Sequence, residues 1–216
     1  MHILSTIVGI TFHSGSGQSA INVNEAKFEW RFGLRDGSAH RAVRILDTQL
    51  QEQLNLPFDE LSLPRASIAR LPLQEVTVFI VENDLNLLTL PLLTRAIAIR
   101  GEGNAVSRLE VVDLLNNNRL IYWGDIDVEG FLILSRLRNL FPHVESAVMD
   151  LNTLNSHRDF SFTGNAATRM MPTYLTLNES EAFLRCIKED CRLEQEKIFQ
   201  TFAEGQIQQV ISFPRP

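Results

Sequence analysis

The segment Trp123-Gly124-Asp125-Ile126-Asp127-Val128-Glu129-Gly130 follows directly on the apolar run Leu120-Ile121-Tyr122. Asp125 and Asp127 are two positions apart at the end of an expected strand, so their side chains point to the same side of the backbone. Two carboxylates held that close repel unless a cation or a shared proton intervenes. Mg²⁺ is usually held by one or two carboxylates, with phosphate oxygens completing its shell. The pattern therefore points to metal-assisted phosphoryl chemistry, with nucleic acid as the natural substrate. Glu82, in Val81-Glu82-Asn83, ends a second apolar run in the same way. Neighbouring parallel strands lie about 5 Å apart, which would let Glu82 share an ion with the Asp pair. Glu129 is either a further metal ligand or an acid that favours a helix N-terminus. Asp150, in Val148-Met149-Asp150, reads better as a helix N-cap, and Asp127 could cap the helix that follows it.

The elements that must position these acids are legible as a change of period. β-Branched and apolar runs occur at 76–81, 96–99, 120–123 and 147–149, and continuous runs of this kind belong to buried parallel strands. Helical spacing separates them at 106–115 and 128–141, where Phe131, Leu134, Leu137 and Phe141 share one face. Alternation of strand and helix predicts an α/β fold, a parallel sheet flanked by helices with right-handed crossovers. The tail from 178 to about 206 reads as one or two helices. Upstream, residues 13–19 look like a turn or flexible tip, 28–36 alternates as a strand, and 41–46 is a further extended piece. Pro57, Pro64 and Pro72 make 50–73 a connection more than an element. The expected organisation is a β-rich N-terminal extension and linker, 1–73, followed by a catalytic α/β domain, 74–216.

Composition narrows the class. With 216 residues, 44% hydrophobic and 21% charged, the chain can bury an ordinary globular core. Residues 3–12 are too short and too interrupted to span a bilayer, so no membrane partner and a cytoplasmic location are expected. The net charge of −6 argues against gripping DNA through overall charge, although local patches can still act. Arg136, Arg138, His157, Arg158 and Arg169 are the basic groups best placed to meet a DNA backbone; the alternative for each is a solvated face or an ion pair. Arg192 and Glu196 are spaced for an ion pair along a helix. Cys186 and Cys191 have no His pair nearby to complete a zinc site, and are expected as reduced thiols on different faces of one helix. Tyr122 lies in an expected buried strand and Tyr174 follows Pro172 without a surrounding motif, which favours hydrolysis by water over a phosphotyrosine intermediate. No Gly-x-Gly-x-x-Gly follows the first strand, which disfavours a dinucleotide-binding enzyme.

A strand-end Glu followed by Asp-x-Asp on a later strand resembles the Toprim domain of topoisomerases, bacterial primases and related nucleases, a Rossmann-like fold. Longer segments are similar to one subfamily: Phe79-Ile80-Val81-Glu82-Asn83, Ile121 to Asp127 with Gly130-Phe131, Arg136-Leu137-Arg138, Phe141-Pro142-His143-Val144, Met149-Asp150 with Thr153-Leu154 and His157-Arg158, and Arg192 to Ile198. That subfamily is the C-terminal Toprim region of JetD, the nuclease subunit of Wadjet-type anti-plasmid systems. The resemblance implies a Mg²⁺- or Mn²⁺-dependent endonuclease acting on double-stranded plasmid DNA beside SMC-like complex subunits. It makes Glu82, Asp125 and Asp127 the catalytic residues, the two Asp as metal ligands and Glu82 as third ligand or general base. Relatives of the fold, such as the topoisomerase VI A subunit, are dimers, so a homodimer is conceivable. Three departures add negative charge near the site: Val128-Glu129 stands where the family has Thr-His, Asp84 where it has Lys, and Gly101-Glu102-Gly103 where it has Gly-Lys-Gly. These keep open the alternative of a degenerate or truncated module that binds its partner or DNA without cutting.

Overall fold

The computed structural model describes residues 40–101, 113–164 and 170–213. The expected strand at 28–36, the turn at 13–19, Glu102, Gly103 and Arg169 lie outside the described residues, as does most of the expected helix at 106–115. The elements run β1 (His40–Ile45), α1 (Thr48–Gln53), β2 (Glu60–Pro64), α2 (Arg65–Ile68), β3 (Thr77–Val81), α3 (Asp84–Thr89), β4 (Ala96–Arg100), α4 (Asp113–Asn116) and β5 (Arg119–Trp123). They continue with α5 (Val128–Leu140), β6 (Glu145–Ser146), α6 (Leu151–Ser156), β7 (Phe162–Thr163), α7 (Leu177–Glu189), β8 (Cys191–Arg192) and α8 (Gln200–Ser212).

The fold is α/β: a mostly parallel six-stranded sheet in the order β2-β1-β4-β3-β5-β6, flanked by helices. β3 pairs in parallel with both β4 and β5, and β5 with β6. β1 is antiparallel to β4 and to β2, so residues 40–64 extend the same sheet. Val78, Phe79, Ile80, Val81, Ile97, Ala98, Leu120, Ile121 and Tyr122 are completely buried, which is why these strands read as unbroken apolar runs.

Three expectations need correction. The segment 50–73 is not merely a connection, because β2 forms there and pairs with β1. Its Pro64 is accommodated at the end of an edge strand, where a missing N–H costs no ladder bond. The fourth strand is the pair Glu145–Ser146, not 147–149. Ala147 still donates to the Tyr122 carbonyl at 2.9 Å, but Val148 takes φ 61°, and a β-branched residue in that region ends an extended run. The tail is two helices, within the expected one or two, but a strand and a 3-10 turn at Gln195–Lys197 separate them, which removes the expected Arg192–Glu196 helix. α7 stops because Asp190 adopts the left-handed conformation, φ 46°, so Arg192 and Glu196 share no helix. Arg192 pairs with Glu194 instead.

The helix starts follow local chemistry. Asp127 sits in extended backbone and accepts from the Gly130 N–H at 2.7 Å, capping α5. Asp150 caps α6 by accepting from Thr153 N at 2.7 Å, as expected for a strand-end Asp. Thr176 and Glu179 form a reciprocal capping box on α7. Among the described residues no helix is long and apolar enough to cross a membrane.

Candidate active site at the carboxyl ends of the parallel strands

The chain runs from β3 to β4 on one side of β3 and later returns to β5 on the other. The crevice at the carboxyl ends of β3 and β5 is therefore a topological switch point, where open α/β sheets bind their ligands. Val81 is in register with Trp123, so Glu82 leaves β3 at the level where Gly124 and Asp125 leave β5. Glu82, Asp125 and Asp127 are brought to this one crevice.

Each acid is held by specific partners. Glu82 Oε1 accepts from the Tyr122 hydroxyl. Asp125 Oδ1 accepts from the backbone N–H of Gln195 at 2.9 Å, and Asp127 Oδ1 from Gly130 as above. Two glycines of the motif have a steric reason. A Cβ on Gly124 would overlap the Tyr122 hydroxyl and Glu82 Oε1, and one on Gly130 would overlap the Asp125 carbonyl oxygen. Gly130→Ala should therefore push α5 away from the Asp125 loop and cost about 1–3 kcal/mol, measured by chemical denaturation; an unchanged midpoint would contradict this packing.

The electrostatics are those of crowded, half-dry carboxylates. Burial, reinforced by the charges of Asp125 and Asp127, pushes Glu82 up to about 7 despite its bond from Tyr122. Burial also lifts Asp125 to about 6; the Gln195 N–H opposes this, while Asp127, Glu196 and Glu194 add to it. Asp127 is raised as well, chiefly by burial, with its Gly130 bond and the nearby Arg192 charge working against the rise. Such shifts, in a cleft and with specific charge partners, mark candidate functional groups. Among the described residues no three His, Cys, Asp or Glu side chains form a preassembled metal cage.

The segment following α7 matters more than its sequence suggests. Leu193 bridges Ile126, and Gln195 holds three points of the site. Its backbone N–H binds Asp125, its side-chain amide donates to the Trp123 carbonyl, and its Oε1 accepts from Asn83 at 3.2 Å. Gln195 thus straps the end of β5 to the residue after Glu82. The clue in the sequence was only that Arg192 to Ile198 belongs to the family-like segments; the expected ion-pair helix concealed its role.

The other expected residues separate into groups. Glu129 turns along α5 to Arg136, 3.0 Å away, with both side chains about half exposed, rather than towards the acid crevice. Asp84 similarly meets Arg100 at 3.2 Å, so two of the added negative charges are matched by local arginines. Arg158 is exposed and pairs with Glu189 at 2.6 Å. Arg138 is not a surface group: it is 6% exposed and makes two bonds to Glu179, at 2.6 and 2.9 Å, with two more to the Val144 and Tyr174 carbonyls. Although burial pushes Glu179 up, the Arg138 guanidinium outweighs it with help from Ser146 and Thr176, and the carboxyl lies below its ordinary value.

His157 is also interior, 1% exposed. Its Nε2 accepts from Phe199 N at 3.1 Å, so Nδ1 carries the proton given to the Thr153 carbonyl at 3.0 Å, leaving no nitrogen for DNA or metal. Cys186 is buried in α7 and Cys191 lies in β8. The two thiols are free but adjacent, since each perturbs the other by a side-chain hydrogen bond; they do not occupy two faces of one helix.

No curated protein matches the chain at a significant level. The family model for the C-terminal region of the Wadjet protein JetD matches residues 33–206. That match covers most of the chain, including β1 and β2, the acid crevice and the Gln195 strap, and the chain therefore belongs to the JetD C-terminal family.

Proposed function

We propose that the chain is a divalent-metal-dependent DNA endonuclease subunit that hydrolyses phosphodiester bonds in plasmid DNA. On this reading it works in the cytoplasm with SMC-like subunits of a Wadjet system. The observation that carries it is the meeting of Glu82, Asp125 and Asp127 at the switch point, half-buried and mutually repelling. The donor set suits a hard cation: Asp125 and Asp127 would hold Mg²⁺ or Mn²⁺, with substrate phosphate and water supplying further oxygens. When bound, such an ion supplies Lewis-acid polarisation of the phosphodiester and lowers the pKa of water.

The protein's own groups do the rest. Glu82, beside the Asp pair and held by the Tyr122 hydroxyl, is the group placed to accept the proton of the attacking water. Tyr122 orients Glu82 through its hydroxyl, and it is completely buried, which favours water over tyrosine as nucleophile. Gln195 and the amino end of α5 hold Asp125 and Asp127 in place. Of the expected basic groups, Arg136 and Arg158 have exposed side chains that could meet the DNA backbone, and Arg169 stays an expectation.

A second reading is a docking module that retains the fold without cutting. It is favoured by the lack of a three-residue cage among the described residues and by the extra acids Glu194 and Glu196 beside Asp125. Calorimetric titration of Mn²⁺ and Mg²⁺ separates the two. The wild type should bind and the Asp125→Asn/Asp127→Asn variant should not; no binding by a folded wild type would leave the docking module.

A further inference from the structure

The ladder between β3 and β5 ends at the pair Val81 and Trp123. Beyond it Glu82 stands on one chain end and Asp125 on the other, and their charges repel. Gln195, itself 1% exposed, reaches across this opening. Its backbone is fixed from the β5 side. Leu193 exchanges hydrogen bonds with Ile126 at 2.9 and 3.0 Å, and the Gln195 N–H binds Asp125. The side-chain amide then makes one bond to each chain end: Nε2 donates to the Trp123 carbonyl at 2.5 Å, and Oε1 accepts from Asn83 Nδ2 at 3.2 Å.

The direction of both bonds is forced. A carbonyl can only accept, so the amide nitrogen must face Trp123. Asn83 Oδ1 takes the Asn86 N–H at 2.7 Å as the cap of α3, which leaves Asn83 Nδ2 to face Gln195. The position therefore requires one donor and one acceptor at the tip of a side chain of this length. Glutamine supplies both; glutamate would set an acceptor against the Trp123 carbonyl, and methionine would satisfy neither partner. We propose that Gln195 is a positioning residue for the metal-dependent reaction, with Asn83 as its partner. Its amide cross-links the end of β5 to the residue after Glu82, and so fixes the spacing between Glu82 and the Asp pair. Both residues act through the acids rather than on the reacting atoms. The role rests on the nuclease reading and deepens it, because groups that hold metal ligands from behind set metal affinity and rate.

The test titrates Mn²⁺ into the full chain and follows the free ion by electron paramagnetic resonance, which needs no cleavage. Gln195→Met should bind Mn²⁺ about 10–100-fold more weakly than the wild type. Asn83→Ser keeps a cap for α3 but is too short to reach Gln195; it should also weaken binding, and it carries the test should Gln195→Met fold poorly. Because the two residues act through one bond, the double variant should bind about as weakly as Gln195→Met alone. Leu50→Ala controls for general loss of stability. Leu50 is buried in α1, which follows β1 at the end of the sheet where β4 begins, opposite the acids. This variant should melt lower and bind Mn²⁺ as the wild type does. Unchanged affinity in Gln195→Met or in Asn83→Ser, full additivity in the double variant, or an equal loss in Leu50→Ala overturns the positioning role alone, since the wild type still binds. Absence of binding by a folded wild type sinks the nuclease reading and the positioning role together.

Discussion

Asp125→Asn/Asp127→Asn is expected to lose cleavage by about 10³-fold or more, several kcal/mol of transition-state stabilisation, while melting at a higher temperature than the wild type at pH 8. The two effects have one cause. The folded, metal-free protein confines carboxylates whose charged forms are disfavoured by burial and mutual repulsion. Their folded-state pKa values lie above the unfolded ones, so the native state binds more protons between the ordinary carboxylate range and about 7. The associated stability is fully present below pH 4, and is lost as pH rises through 6 for Asp125 and 7 for Glu82. Removing two charges relieves the cost at pH 8 by roughly 1–3 kcal/mol after allowance for solvent at the rim, or about 5 °C in a chain of this size. Asn retains the cap on α5. Melting in chelator at pH 5 and pH 8 checks the sign: the advantage of the variant should grow with pH. An equal or lower melting temperature at pH 8 would refute the crowding. Added Mg²⁺ should raise the wild type and leave the variant unmoved.

Arg138→Met should be the most destabilising single change considered, by about 3–5 kcal/mol, because it strands the Glu179 carboxylate in the interior. Arg138 also joins α5 to the Val144 and Tyr174 carbonyls, so those acceptors lose partners as well. Arg138→Met/Glu179→Gln should recover much of the loss, since replacing both members of a buried pair is often nearly neutral. Urea unfolding of the single and double variants measures the coupling. A loss below about 1 kcal/mol, with weakened DNA binding by a still-stable protein, would restore Arg138 to the DNA surface.

Arg136 and Arg138 show why the acids were easier to place from sequence than the basic groups. The two arginines are two residues apart on a helix that turns about 100° per residue, so they leave α5 on nearly opposite sides. Nothing local says which side is buried; that depends on Glu179, in α7. His157 is similar, since its state follows from Phe199 N, a residue across a chain reversal. Ala147 to Met149 misled for another reason: apolarity reports burial, and these residues are buried, but the positive φ of Val148 ends the strand before them.

Strand-end acids are visible in sequence because their position is a local property. An apolar run declares a buried strand, its last residue declares the carboxyl end, and a spacing of two puts Asp125 and Asp127 on one side. The sequence by itself therefore determined the α/β alternation, the four acids worth watching and the cap at Asp150. Only the tertiary structure decided that β3 and β5 are neighbours at a switch point, that Glu129 turns to Arg136, and that Gln195 straps the site. Those outcomes rest on hydrogen bonds and charge pairs between residues distant in the chain, whose partners are chosen by sheet order and helix packing rather than by any local pattern.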